Sequence, residues 1–259
     1  MTEADLVRRL AVASEAAWEA GQLILSFYRR PQKLDIKSKG PQDLVTAADL
    51  AADVLLQKRL SAAFPEDRFL TEESGGSDDE RLWVIDPIDG TVNFARGLPH
   101  FCISIAFCMG GRPSLGIIYD PIQDELFTAR VGLGATCNGR PMAVSSASTA
   151  DRSLIDVGHS DRRHTKAYLG IVERLLDRGY TFRNDGSAAL GLARVADGRI
   201  EGYCDLFLNS WDVLAGLLLV SEAGGWTSDF LAGEGLMRGN AVLACAPELA
   251  PDLRRLTGI

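Results

Sequence analysis

The sequence predicts an α+β protein in which antiparallel sheet dominates the first half and helices alternate with strands in the second. Two observations carry this. Residues 101–107, 115–119 and 125–129 are short runs rich in apolar, aromatic and β-branched side chains, the first two separated by Gly110-Gly111-Arg112-Pro113. That is the pattern of hairpin-linked strands. Beyond Ser145-Ser146-Ala147-Ser148-Thr149, a small polar stretch and the best boundary in the chain, strand-like and helix-like segments alternate, as in layered α/β units. Two units are expected, residues 1–145 and 146–259. The 259 residues are 46% hydrophobic, enough for a sizeable core.

Composition narrows the function. The net charge of −8 argues against a nucleic-acid-binding surface, although a bound metal can reverse the sign of a local site. The five cysteines, Cys102, Cys108, Cys137, Cys204 and Cys245, form no Cys-x-x-Cys pair and have mostly apolar neighbours. Reduced, buried thiols and a cytoplasmic location are expected, and a thiol or redox enzyme using Cys102 or Cys204 lacks a paired motif. Only three histidines are present, so a catalytic metal would be held by carboxylates, which favours magnesium or manganese over zinc. His159 and His164 fall in a basic, polar segment and are read as surface residues. The first nine residues are charged and lead into an amphipathic pattern rather than a signal peptide. No apolar run has membrane-spanning length.

The elements follow in order. Leu6, Leu10, Val12, Ala16, Ala17, Ala20, Leu23 and Ile24 recur mostly at three- and four-residue intervals, predicting a helix over residues 4–28 that Pro31 ends. Lys37 to Gly40 reads as a polar turn. A second helix follows to residue 63, with Thr46 as its cap and Asp49 three residues on. Asp49 reads either as a first-turn acid suited to the helix dipole or as a group facing a metal or a catalytic water. Phe69-Leu70-Thr71 reads as a strand ending in Glu72-Glu73-Ser74. Two adjacent glutamates in extended chain point in opposite directions. A flexible acidic loop then runs from Gly75 to Glu80.

The central stretch is Trp83-Val84-Ile85-Asp86-Pro87-Ile88-Asp89-Gly90-Thr91-Val92-Asn93-Phe94. Its apolar start predicts a buried strand ending at Asp86, because proline restricts both itself and the residue before it. Gly90 permits a tight turn or close approach of a ligand, and Thr91 would cap a short helix from Val92. Carboxylates bind hard cations and a helix start binds anions, so the stretch suits a metal-bound phosphate. A ligand-free acidic turn is the plain alternative. In the second half, strands are expected at 154–157, 180–183, 201–204 and 241–244. Helices are expected at 165–178, from Asp185-Gly186-Ser187-Ala188 to Gly198, from Trp211-Asp212 to Ala223, and at 247–256. Glu72, Asp86, Asp89 and Asp212 all lie at strand ends or helix starts. Gathered together they could not all ionise without cations, and two or three metals would resolve the repulsion and grip a phosphate.

These motifs resemble the inositol monophosphatase family of magnesium-dependent, lithium-sensitive phosphatases. Asp86-Pro87-Ile88-Asp89-Gly90-Thr91-Val92-Asn93-Phe94 is similar to its first signature, and Trp211-Asp212 through Glu222-Ala223-Gly224-Gly225 to its second. Glu72-Glu73-Ser74, Asp43-Leu44-Val45-Thr46 with Asp49, and Gly186-Ser187-Ala188 also match in the expected order. The resemblance implies a layered α-β-α-β-α sandwich of the inositol monophosphatase and fructose-1,6-bisphosphatase type, a homodimer, and a small phosphorylated substrate. It implies that Glu72, Asp86 and the Ile88 carbonyl hold one Mg2+, and that Asp86, Asp89 and Asp212 hold a second. Asp49 and Glu72 would support a weaker third ion through water, with Mn2+ as a substitute. Gly90 and Thr91 would offer backbone N–H groups to the phosphate, Thr91 linked to Asp49 would orient the attacking water, and Glu73 would be a supporting residue. Asp89 and residues 186–188 would lie on the substrate side.

One departure stands out. Seven residues before Asp212, where inositol-phosphate-selective members carry a glutamate, this chain has Asp205. The resemblance therefore leaves the substrate open among inositol monophosphate, histidinol phosphate, fructose 1,6-bisphosphate and 3′-phosphoadenosine nucleotides, with Asn93-Phe94 favouring the first. A catalytically silent regulatory partner is the alternative of another class.

Overall fold

The computed structural model describes residues 1–29, 36–40, 43–160 and 162–259, and side chains outside 36–45. Pro31 lies outside the described residues. Helix α1 (Glu3–Tyr28) opens on a reciprocal cap between Thr2 and Asp5. Strands β1 (Ile36–Gly40) and β2 (Asp43–Thr46) pair antiparallel. Lys37 to Gly40 is thus a strand and not the expected turn: its ladder partner, rather than any apolar pattern of its own, makes it extended. Helix α2 (Ala47–Ala63) begins on the expected capping box, Thr46 with Asp49.

Next come β3 (Arg68–Thr71), β4 (Gly75–Gly76), β5 (Arg81–Asp89), α3 (Thr91–Ala95), β6 (Cys102–Met109), β7 (Arg112–Asp120), β8 (Glu125–Arg130), β9 (Ala135–Cys137) and β10 (Arg140–Pro141). The supposed loop at Gly75 opens as a strand because it folds back on β3, and Glu72 and Glu73 sit in the intervening turn rather than in extended chain. Strand β5 runs on past Asp86 to Asp89. Its pairing with β6 shifts register between those two residues. Pro87 cannot donate to a ladder, so the chain stays extended through a bulge instead of leaving the sheet. Helix α3 starts one residue earlier than expected. Gly90, at φ 95°, is its cap, and Thr91 lies within the first turn, which frees the Thr91 hydroxyl for other partners.

The second half supplies β11 (Leu154–Val157), α4 (Thr165–Arg178), β12 (Thr181–Arg183), α5 (Ala188–Ala196), β13 (Gly202–Leu208), α6 (Ser210–Glu222), β14 (Trp226–Thr227), α7 (Gly235–Arg238), β15 (Asn240–Cys245) and α8 (Ala250–Thr257). The first sheet has eight strands in the order β10-β9-β8-β7-β6-β5-β3-β4. It is antiparallel except where β3 runs parallel to β5. The second has five strands, β12-β11-β13-β15-β14, with β11 parallel to both neighbours and β15 antiparallel to both of its own.

Three cores stack these elements into five layers. Ala13, Ala17, Ile24, Leu56 and Leu60 of α1 and α2 pack on Trp83, Ile105 and Ile117 of the first sheet. The other face of that sheet, through Val84, Ala106 and Ile118, meets Leu192 and Val195 of α5 and Leu214 and Leu219 of α6, which in turn cover Tyr203 and Val242 of the second sheet. Ile171 and Leu175 of α4 and Leu253 of α8 close its far side. The order is α-β-α-β-α. Helix α6 is apolar on nearly every side because it lies between two sheets. All five cysteines are buried and free, and no described helix is long and apolar enough to cross a membrane.

A buried ion pair fastens α1 to the first sheet. Arg9 donates from Nε and Nη2 to the Asp67 carboxylate at 3.0 and 2.9 Å, and Trp83 Nε1 donates to the same group at 3.1 Å. The guanidinium lies 4.4 Å from the Phe64 ring centre and 4.8 Å from that of Phe107. Removing one partner of a buried pair strands the other charge, which costs about 3–5 kcal/mol. Asp67→Ala is therefore expected to lower unfolding free energy by that amount in urea titrations. A loss below about 1 kcal/mol, the range of exposed pairs, would show that water reaches Arg9.

Candidate active site

The two sheets and the starts of three helices meet at a cleft of about 230 Å³. Asp86, Ile88 and Asp89 reach it from β5, Gly90 and Thr91 from α3, and Glu72 from the turn after β3. Asp212 comes from the first turn of α6, and Asp205 from β13. The cleft is thus lined by the carboxylates of Glu72, Asp86, Asp89, Asp156, Asp205 and Asp212, with no Lys or Arg among the described lining residues.

Backbone donors hold Asp86, Asp212 and Asp89 in place. The Ile88 N–H donates to Asp86 Oδ1 at 3.0 Å. The Asn209 N–H donates to Asp212 Oδ2 at 2.8 Å, which makes Asp212 the return half of a capping box. Asp89 crosses from the first sheet to the start of α5, where it accepts the Ser187 hydroxyl and the N–H groups of Ala189 at 2.8 Å and Ala188 at 3.3 Å. Ser187 and Ala188 line the cleft as expected, but their polar groups are turned to Asp89. Gly90 is required at its position: a side chain there would meet the carbonyl oxygens of His100 and Gly186 at 3.0 and 3.2 Å.

Asp49 is not itself at the cleft wall. It is 1% exposed and sits behind Thr91. Its Oδ2 accepts the Thr46 N–H at 2.8 Å and hydroxyl at 2.5 Å, and its Oδ1 lies 3.1 Å from Thr91 Oγ1. The Thr91 hydroxyl also reaches the Ile88 carbonyl at 2.8 Å, so one proton serves two acceptors. Burial raises Asp49 to about 6, against the Thr46 hydrogen bonds and with a further push from Glu73.

The electrostatics are those of uncompensated like charge. Burial raises Asp86 well above the ordinary carboxylate range, and Glu72, Asp89 and Asp212 add to it. Burial raises Asp212 likewise, with Glu72 and Asp89 adding to it. Asp89 is raised by burial and partly relieved by its Ser187, Ala189 and Ala188 donors. Glu72 and Asp86 approach closely enough to share a hydrogen bond, which requires a proton in the absence of a cation. Among the described residues no three acids or histidines already converge in metal-ligand geometry. The donor set still fits Mg2+ or Mn2+: hard carboxylate oxygens with the Ile88 carbonyl, and no histidine or thiolate.

Several cleft residues escaped the sequence reading. Asp156 is 2% exposed, and burial raises it to about 7 against the pull of Arg183 and Arg194. An acid inside the apolar run Leu154-Ile155-Asp156-Val157 was the available signal. Tyr203 stands beside it, its Cα in register with that of Asp156. Asp205 is 3% exposed. One of its oxygens accepts the Phe207 N–H at 2.9 Å, while the other fills the space where Gly158 lacks a side chain. Burial raises it to about 6. His159 is exposed, as expected, but stands on the cleft rim, edge-on to Tyr168. Asn93 ties the two halves of the site together: its Nδ2 donates to the His100 carbonyl at 2.9 Å and the Asp185 carbonyl at 2.7 Å.

A carboxylate whose folded pKa is raised stabilises the fold only while protonated. That stability is complete below the ordinary value of 3.8 and is lost as pH rises through about 6 for Asp49 and Asp205 and about 7 for Asp156. In excess chelator, Tm is expected to fall between pH 4 and 8. Added Mg2+ should raise Tm most at the upper end, where the acids are charged. Differential scanning fluorimetry across this range checks both. A Mg2+ increment independent of pH would contradict the account.

The fold and the cleft can now be set beside known proteins. Nus factor SuhB of Escherichia coli K12 is 40% identical over 245 residues, covering 93% of this chain and 92% of that protein. Among solved structures, the extragenic suppressor protein SuhB of Bartonella henselae superposes with a TM-score of 0.90 at 37% identity, covering 95% of this chain and 97% of the other. The IMPase of Thermotoga maritima superposes at 0.87 with 30% identity and covers 97% of both chains. The profile of the inositol monophosphatase family matches residues 5–257: the chain belongs to the inositol monophosphatase family.

Proposed function

We propose that this protein is a Mg2+-dependent phosphomonoesterase that hydrolyses a small phosphate ester, with inositol monophosphate the first candidate. The observation that carries the reading is the convergence of six carboxylates in one cleft, with no Lys or Arg among its described lining residues, placed where β5 runs into α3. Such a cleft repels a phosphate dianion unless cations intervene. Bound Mg2+ would neutralise the phosphate and lower the pKa of a coordinated water. Glu72, Asp86, the Ile88 carbonyl, Asp89 and Asp212 would hold two ions, with a third supported from Glu72 and Asp49.

The chain's own groups do the rest. Gly90 and Thr91, at the start of α3, present backbone N–H groups to the phosphate. When Thr91 donates its proton to Asp49, its oxygen lone pairs turn to the attacking water. Asn93 keeps the β5–α3 corner aligned with the start of α5, so that phosphate and leaving group meet in one geometry. Asp205 and its neighbours from the second sheet receive the alcohol. The same reading includes a homodimer and a cytoplasmic location.

A second reading is supported by the name of the curated relatives: a Nus factor is named as a factor and not as an enzyme. A regulatory role for this chain would leave the carboxylate nest without a use, and the net charge of −8 disfavours direct contact with RNA.

Phosphate release is the test, measured on inositol 1-phosphate, histidinol phosphate, fructose 1,6-bisphosphate and 3′-phosphoadenosine 5′-phosphate, with Mg2+ and with excess chelator. Hydrolysis should require Mg2+ and be inhibited by lithium. Activity undiminished in chelator overturns the metal assignment, and no release from any ester favours the regulatory reading. Asp205→Ala should lose about tenfold to a hundredfold in kcat/KM on the best ester, the worth of one charged hydrogen bond. It should lose much less on p-nitrophenyl phosphate, whose leaving group offers no donor. Equal losses on both would make Asp205 a structural residue.

A further inference from the structure

Asp53 lies on α2 one turn beyond Asp49, and no part of the mechanism above uses it. It is 1% exposed. Its Oδ2 accepts the Ser74 hydroxyl at 2.5 Å and the Gln57 amide at 2.8 Å. Its Oδ1 is buried with no hydrogen-bond partner among the described residues. A half-satisfied buried carboxylate is costly, so its one strong contact needs a reason. Ser74 closes the turn that carries Glu72. Within that turn the Ser74 N–H donates to Thr71 Oγ1 at 2.9 Å, and the Glu72 N–H donates to the Ile85 carbonyl at 3.1 Å. The inner side of the turn is therefore fixed to β3 and β5, and its outer side is held where Ser74 meets Asp53 and Gln57.

We propose that Asp53 is a positioning residue for the metal site: by clasping Ser74 it holds the turn after β3, and with it the Glu72 carboxylate, facing Asp86. Helix α2 then sets both flanks of the site from two acids four residues apart. Asp49 aligns Thr91 through one hydrogen bond, and Asp53 aligns Glu72 through a turn. The rigid helix sets the spacing between the two. This inference rests on the metal-dependent reading above, since a positioned Glu72 matters only if Glu72 binds a cation.

The test uses the full chain and the variants Ser74→Ala, Asp53→Asn and the double variant. Mn2+ binding is followed by the paramagnetic resonance of free Mn2+, with no turnover required. Mg2+ dependence of phosphate release and Tm are measured alongside. Ser74 is exposed, so Ser74→Ala tests the clasp even if Asp53→Asn folds poorly. Supporting residues around metal ligands are worth about tenfold to a hundredfold in metal affinity. Each single variant is expected to weaken Mn2+ binding by a factor near the lower end of that range and to raise the Mg2+ concentration for half-maximal rate. The double variant should be no weaker than the weaker single, because both remove the same clasp. A Tm loss with unchanged Mn2+ affinity and Mg2+ dependence would reduce Asp53 to packing and overturn the proposal alone. A parent protein that binds no Mn2+ would overturn the metal reading, and this proposal with it.

Discussion

Burying several carboxylates of like charge against one another is the constraint from which the rest of this structure follows. Asp89 and Asp212 raise the cost of ionising Asp86, Asp89 raises that of Asp212, and Glu72 raises that of both Asp86 and Asp212. Among the described residues no cationic side chain lines the cleft to relieve this. The backbone restrains the three aspartates: the Ile88 N–H for Asp86, the start of α5 for Asp89, and the Asn209 N–H for Asp212. Donors of this kind favour the charged form and fix its direction, so the acids stay poised against one another. The large apolar cores on either side supply the stability that such a nest withholds. The Arg9–Asp67 pair, outside the cleft lining, is what a buried charge looks like when its partner is part of the chain.

This constraint explains where the site sits. Backbone N–H groups without partners occur at helix starts and at irregularities in strands, and every acid that the backbone restrains in the nest is found at one of these. The bulge in β5 turns Asp86 and Asp89 into the same cleft, which regular alternation along a strand would also do only over an even spacing; theirs is three residues. Asp89 then joins the first sheet to α5, and Asn93 joins the α3 corner to the loop before α5. The cleft is built across the layers and depends on their packing.

Much of this was legible in the sequence because it is local. The Thr46–Asp49 capping box, the β6–β7 hairpin and the apolar α6 are each set by a few neighbouring residues. Glu72, Asp86, Asp89 and Asp212, which line the cleft, were legible because signature motifs mark them. What escaped depends on partners distant in sequence. Lys37 to Gly40 is a strand only because β2 lies beside it, and the short β9, β10 and β14 exist only as pairings. The polar groups of Ser187 and Ala188, expected to face substrate, face Asp89 because the fold brings a residue of the first sheet to the start of α5. Asp156 was passed over because a strand residue is read by its neighbours in sequence, whereas its role is set by the register that puts it beside Tyr203.

The division of labour between the layers has a consequence for specificity. Glu72, Asp86, Asp89 and Thr91 come from the first sheet and its corner, and Asp212 from the helix that layer shares with the second. Asp156, Gly158, His159, Tyr203 and Asp205 come from the second sheet and the segment leaving it. Under the proposed function, the phosphate end of a substrate would meet one layer and its alcohol end the other. A change at Asp205 or His159 alters hydrogen-bond reach on the alcohol side without moving a residue of the nest, whose restraints lie on β5, α5 and α6. Asp205 itself is fixed from the second sheet: its backbone bond to Phe207 holds one oxygen, and Gly158 makes room for the other. Chemistry constrained by charge repulsion can then stay constant while the alcohol side varies. On that view the identity of the substrate is written in the second sheet, where the charge constraint is weakest.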